Sequence, residues 1–142
     1  MGFFAKLMGT EKPKHPPLDP ASPGAVRLAK SAAVLEPFVQ KVHGAMEFVP
    51  GEKAIYVYIG SPPETFGVVW FEGAEEHNFK TLMKARSLSD RQMKTISGHL
   101  GAAWARHKDE PRFDWVIGGK TVVVLASPAL EQDLQKIIHE AQ

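Results

Sequence analysis

The chain has 142 residues, of which 44% are hydrophobic and 23% charged; its net charge is +1 and it contains no cysteine. That length supports one domain with a buried core, and the near-neutral balance gives no overall field to concentrate nucleic acid or anionic lipid. The absence of cysteine removes disulfides, thiolate nucleophiles, iron–sulfur clusters and cysteine-ligated zinc together.

The chain starts MGFFAKLM, an apolar stretch too short for a secretory signal core. Lys6 breaks the myristoylation pattern, and no apolar run approaches the ~20 residues that span a bilayer. A cytoplasmic location is the expectation. Residues 10–23 hold five of the 11 prolines. Proline lacks an amide donor and disfavours helix at the residue before it. Residues 1–23 are therefore expected to be a flexible, disordered tail. Its apolar tip, Phe3, Phe4, Leu7 and Met8, would be stabilised by a membrane or a partner's groove. A single α+β domain is expected over residues 24–142.

Apolar residues at helical spacing run from Ala25 to His43, interrupted by Pro37. This predicts a kink, or two helices broken near Glu36. Residues 46–49 predict a short strand before the Pro50-Gly51 turn. Strands are then expected at 53–59 and 67–72, joined by a loop carrying Pro62 and Pro63. A helix is expected over Glu75–Arg86, with acids in its first turn and bases in its last, matching the helix dipole. Ser89 and Gln92 form a capping box for a further helix bearing Met93, Ile96, Leu100 and Trp104.

The second hairpin, 113–117 with 121–126, turns on Gly118-Gly119, where glycine supplies positive φ. Ser127-Pro128 opens a last helix whose stripe is Leu130, Leu134, Ile137 and Ile138. A strand–strand–helix order thus occurs twice, each time after a helix. The expected fold is α+β: an antiparallel sheet of four to five strands with about four helices, in the order α-β-β-α-α-β-β-α. The strands at 54–59, 68–71 and 122–126 are apolar on both faces, unlike strands with one wet face. The sheet therefore needs cover on both sides, by helices or by a second subunit. In topology alone, the order resembles small α+β chaperone-like and adaptor-like dimers.

The chemistry-bearing motifs are weak. None of the six histidines stands four residues from another, the spacing that puts two metal ligands on one helix face. There is no Gly-x-Ser-x-Gly elbow. Gly118-Gly119-Lys120-Thr121 lacks the upstream glycine of a phosphate-binding loop, since Asp114 stands there, and it leads into a strand. Glu72, Glu75 and Glu76 cluster where a strand is expected to enter a helix, a place where acids stabilise the helix start. No catalytic residue, metal ligand or cofactor is assigned.

Two binding surfaces remain as candidates. Within residues 77–108, Lys80, Lys84, Arg86, Arg91, Lys94, Arg106 and Lys108 stand against the single acid Asp90, a local charge of 7 − 1 = +6. The rest of the chain then carries −5, so the molecule is expected to be dipolar. Lys80, Lys84, Arg86, Arg91 and Lys94 are the candidate contacts for an anionic partner. Tyr56, Tyr58 and Trp70 share one sheet face, where aromatic rings either stack on bases or build a core or a subunit interface. The reading that follows is a non-catalytic protein-binding or adaptor domain, with homodimerisation expected. The alternative is a nucleic-acid or nucleotide-binding module using helices 77–108. The second alternative is an enzyme with an unrecognised acid–base site.

Overall fold

The computed structural model describes residues 15–139. In chain order the elements are α1 (Pro23–Lys30), α2 (Ala32–Lys41), β1 (Met46–Pro50), β2 (Ile55–Ser61), β3 (Thr65–Glu72), β4 (Glu75–His77), α3 (Phe79–Arg86), α4 (Asp90–Arg106), β5 (Arg112–Ile117), β6 (Lys120–Leu125) and α5 (Pro128–His139). The α+β class holds, but the described residues form six strands in a mixed sheet and five helices. The expectation was an antiparallel sheet of four to five strands with about four helices. The expected apolar tip, Phe3, Phe4, Leu7 and Met8, lies outside the described residues.

The strand order is β4-β3-β2-β1-β6-β5. Each expected hairpin forms, and the short β1 joins them: it is antiparallel to β2 and parallel to β6. The parallel pairing Phe48↔Val124 links residues 76 positions apart. A parallel pair requires a long crossover rather than a turn, so no local signal announces it. Gly118 and Gly119 have φ of 58° and 82°, the positive values a tight hairpin requires.

A second correction concerns residues 75–78. Glu75 and Glu76 are not a helical first turn. They lie in β4, opposite Glu72 and Phe71 of β3. The helix begins only after Asn78, whose side chain accepts from the Thr81 amide at 3.0 Å while Thr81 Oγ1 accepts from the Asn78 amide at 2.8 Å. That reciprocal cap fixes the helix start more firmly than acidic residues do. The break expected near Glu36 falls instead at Ser31, and Pro37 stays inside α2. Leu35, Phe38 and Val39 bury beside it, and their packing outweighs the roughly 3 kcal/mol that an interior proline costs.

Both sheet faces are covered within the chain. Phe48, Ile55, Val57, Phe71, Val122 and Val124 pack beneath α1 and α2. Val49, Tyr56, Tyr58, Val68, Trp70 and Leu125 pack beneath α3, α4 and α5. Alternation along each strand sends successive residues to opposite layers, which is why these strands are apolar on both faces. Of the two covers expected, helices or a second subunit, helices lie on both faces: α1 and α2 on one, α3, α4 and α5 on the other.

The sheet edges are guarded as well. β4 is three residues long, and Glu75 and Glu76 on it are exposed, which discourages pairing with another chain. On β5, Asp114 donates its amide to Pro16 O at 2.9 Å and accepts from the Leu18 amide at 3.0 Å. Leu18 is buried with α1 and α2. The part of the expected linker from His15 onward is therefore docked along the sheet. Leu18→Ala should cost about 2–3 kcal/mol of stability, as buried leucine truncations do. A chemical-denaturation midpoint equal to wild type would mean the segment is a free linker after all.

Candidate functional site

Polar side chains gather at three places, and their geometry separates structural roles from a binding role. The first is at the C-terminal end of α4. Glu47, from β1, accepts Trp104 Nε1–H at 2.8 Å and Arg112 Nε–H at 3.2 Å. The Arg112 guanidinium also lies over the Trp104 ring, 5.5 Å from its centroid, and donates to the Lys108 and Glu110 carbonyls. Beside it, His107 caps α4. Its Nδ1 meets Glu110 and its Nε2 lies 3.0 Å from Asp133 Oδ2, which also accepts from Arg106 at 3.2 Å. Each group is spent on its neighbour, and together they tie α4 to β1, β5 and α5.

Burial pulls the His107 pKa down, but hydrogen bonds to Glu110 and Asp133 and the charges of both more than reverse this, so it is raised above 6.5. The Ser127 hydroxyl and then His107 hold Glu110 below its ordinary value. At Asp133 burial pushes upward, and the hydrogen bonds from His107 and Arg106 outweigh it, so its pKa is lowered. A raised folded-state histidine pKa adds stability that is fully present below the ordinary value and is lost as pH rises through the folded one. The stability gap between wild type and His107→Asn should therefore be largest near about pH 6 and shrink toward about pH 9 in urea titrations. A gap independent of pH over that range would show that the imidazolium is not what the two carboxylates hold.

The second gathering lies where β3 and β4 meet the end of α5. His77 Nε2 is 3.5 Å from both Glu72 Oε1 and Glu75 Oε1, and His139 Nε2 is 3.4 Å from Glu72 Oε2. Tyr56 Oη lies 3.3 Å from His139 Nε2, and the His77 ring stacks on Trp70 at 5.9 Å. Burial lowers the His139 pKa against the pull of Glu72, and burial, then Glu131 and Glu72, pushes the Tyr56 phenol up. His77 and Glu75, expected on a helix, thus meet Glu72, the end of the expected strand, through the β3–β4 hairpin. Among the described residues no three or more His, Asp or Glu side chains converge as metal ligands would.

The third place is an open groove of about 490 Å³ between α3 and α4, lined by Met83, Asp90, Arg91, Met93, Lys94 and Ser97. α3 ends at Ser87, whose left-handed φ of 52° turns the chain, and the Ser89–Gln92 capping box then starts α4. The turn brings Met83, on the last turn of α3, to Met93, on the first turn of α4. Met93 is buried and Met83 half-buried, while Asp90, Arg91 and Lys94 are exposed. Arg91 and Lys94 are three apart, so they share one side of α4. Neither forms an ion pair with a described residue.

The eight sequence-selected residues therefore divide into four groups. Arg91 and Lys94 line the groove; Lys80 and Lys84 are exposed one turn apart on α3. Arg86 turns away and donates to the His139 carbonyl at 2.9 Å. Tyr56, Tyr58 and Trp70 are 1%, 1% and 3% exposed, and Tyr58 Oη donates to Leu100 O at 2.7 Å. Rings covered by α4 and α5 offer no face to a ligand, so these three are core residues. Sequence reading missed Met83, Asp90, Met93 and Ser97 as groove residues. The available signal was two methionines on the outermost turns of two helices joined by a short turn. The contacts of Glu47 with Trp104 and Arg112, and of Asp133 with Arg106 and His107, carried no signal, because they join residues far apart in sequence. We found no match to this chain among protein-family models, curated proteins or solved structures.

Proposed function

We propose that this domain is a non-catalytic macromolecular-binding module whose contact surface is the exposed α3–α4 face. One contrast carries this reading. The other polar clusters are occupied with holding elements together, whereas Arg91 and Lys94 rim a groove without an ion-pair partner among the described residues. Methionine is a flexible, polarizable side chain that adapts to a partner's shape, and exposed cations steer an anionic partner and set its register. The nucleic-acid alternative keeps these cations but loses its stacking platform, since Tyr56, Tyr58 and Trp70 are buried.

The chain has five methionines. Labelling their Cε methyls with ¹³C makes Met83 and Met93 reporters of the groove, and the buried Met46, on the opposite layer, an internal control. Titration at low salt with an acidic peptide and, separately, with a single-stranded oligonucleotide should shift Met83 and Met93 in at least one case, leaving Met46 in place. Arg91→Glu/Lys94→Glu should weaken that binding roughly tenfold or more, about 0.7 kcal/mol for each exposed charge contact removed and a like amount for the repulsion introduced. No shift with either class at low salt would sink the proposal.

A further inference from the structure

We infer that the α3–α4 groove takes an acidic peptide segment with an apolar anchor, rather than a polyphosphate chain; this rests on the binding reading above and names its partner. Three observations on the groove point the same way. Its floor is apolar, supplied by Met83 and Met93, so the occupant must present an apolar side chain to it. Its rim carries Arg91 and Lys94, so the groups flanking that anchor must be anionic. Its rim also carries Asp90, the one acid within residues 77–108.

Asp90 is the discriminating residue. A nucleic-acid backbone presents regularly spaced negative charge wherever it runs, and a carboxylate in its track repels it. A peptide has no such uniformity. It can place glutamates against Arg91 and Lys94 and an uncharged or basic residue against Asp90, and that alternation would set its register. Exposed Lys80 and Lys84 on α3 extend the positive field beyond the groove and would guide approach.

The groove's dimensions limit the partner further. Asp90 to Ser97 covers two helical turns, about 10 Å of α4 at roughly 1.5 Å per residue. That length seats one or two anchor side chains, not a long helix. Affinity must come from burying the anchor, because exposed ion pairs contribute little on their own. Binding should therefore depend chiefly on the apolar residue and respond to salt as well, since screening at physiological ionic strength acts over about 8 Å.

The test uses the full chain with ¹³C-methyl methionine and four probes. The first is a short peptide with two leucines one helical turn apart, flanked by glutamates. The second replaces its leucines with serine, the third replaces its glutamates with lysine, and the fourth is oligothymidylate. The inference expects the first peptide to shift Met83 and Met93, and the serine version to bind roughly tenfold to a hundredfold more weakly, the range for burying one leucine side chain. It expects the lysine version also to bind more weakly than the first peptide, and Asp90→Ala to raise affinity for oligothymidylate.

Equal binding of the leucine and serine peptides would overturn the anchor and with it the inference. Tighter binding of oligothymidylate than of the first peptide, with the same methyl shifts, would also overturn it while leaving the macromolecular-binding reading standing. Silence from all four probes would remove both. An unshifted Met46 methyl in Arg91→Glu/Lys94→Glu shows that the variant is folded, so its loss of binding counts in favour.

Discussion

Trp70→Ala is expected to remove about 3–5 kcal/mol of folding stability, the usual cost of truncating a buried tryptophan. The indole is 3% exposed and packs among Tyr56, Tyr58, Leu82 and Leu100 beneath α3, α4 and α5. Its loss would also leave the His77 ring without the surface on which it stacks. Since a domain of this kind has about 5–15 kcal/mol in total, the variant should show a large fall in its urea midpoint, or fail to fold. A stacking platform for bases would give the opposite pattern, with binding lost and stability kept. A Trp70→Ala protein with the wild-type midpoint would return the aromatic face to the list of binding surfaces.

The second large effect is expected at Glu47. Its carboxylate accepts from both Trp104 and Arg112, and the Arg112 side chain is only 13% exposed. Glu47→Ala leaves a largely buried guanidinium and an indole N–H without their acceptor. Removing one partner of a buried pair costs about 3–5 kcal/mol. Here Glu47 keeps 22% exposure, and Arg112 retains the Lys108 and Glu110 carbonyls, so about 2–3 kcal/mol is expected. Arg112→Met in the Glu47→Ala background should recover part of this, because the stranded charge is then gone. The measurement is a double-mutant cycle on unfolding free energies. Additive single-variant costs, with no coupling, would show that the pair does not hold β1 to β5.

The two predictions act on residues that the sequence presented in opposite ways. Trp70 stood out by type and by its place on a strand, yet strand alternation alone leaves open whether its face meets solvent, a helix or another subunit. Nothing in the sequence tied Glu47 to its partners. Its partners come from α4 and β5, 57 and 65 residues further along the chain, and no spacing rule reaches that far. The same holds for His107 and Asp133, whose contact depends on how α5 crosses the end of α4.

Local physics made much of the secondary structure legible. The Ser89–Gln92 box, Ser127 before Pro128, and Gly118-Gly119 are short-range devices, and each works within four residues. The errors arose where a local signal was outweighed by packing. Pro37 predicts a kink or a break near Glu36, but no break occurs there: buried neighbours on both sides hold α2 through it. Glu75 and Glu76 were read as a helical first turn, but the pairing with β3 and the Asn78 cap claim them first.

By itself the sequence determined that this chain builds an α+β domain whose strands bury both faces, and that its positive charge concentrates over residues 77–108. Periodicity and capping decide those things, and both are properties of neighbouring residues. Only the tertiary structure decided that β1 pairs in parallel with β6, that α1 and α2 supply the second cover, and that the candidate cations separate into a groove rim, a helix surface and a structural contact. Those outcomes depend on which distant segments meet, and that is set by the packing of the whole core rather than by any stretch of chain.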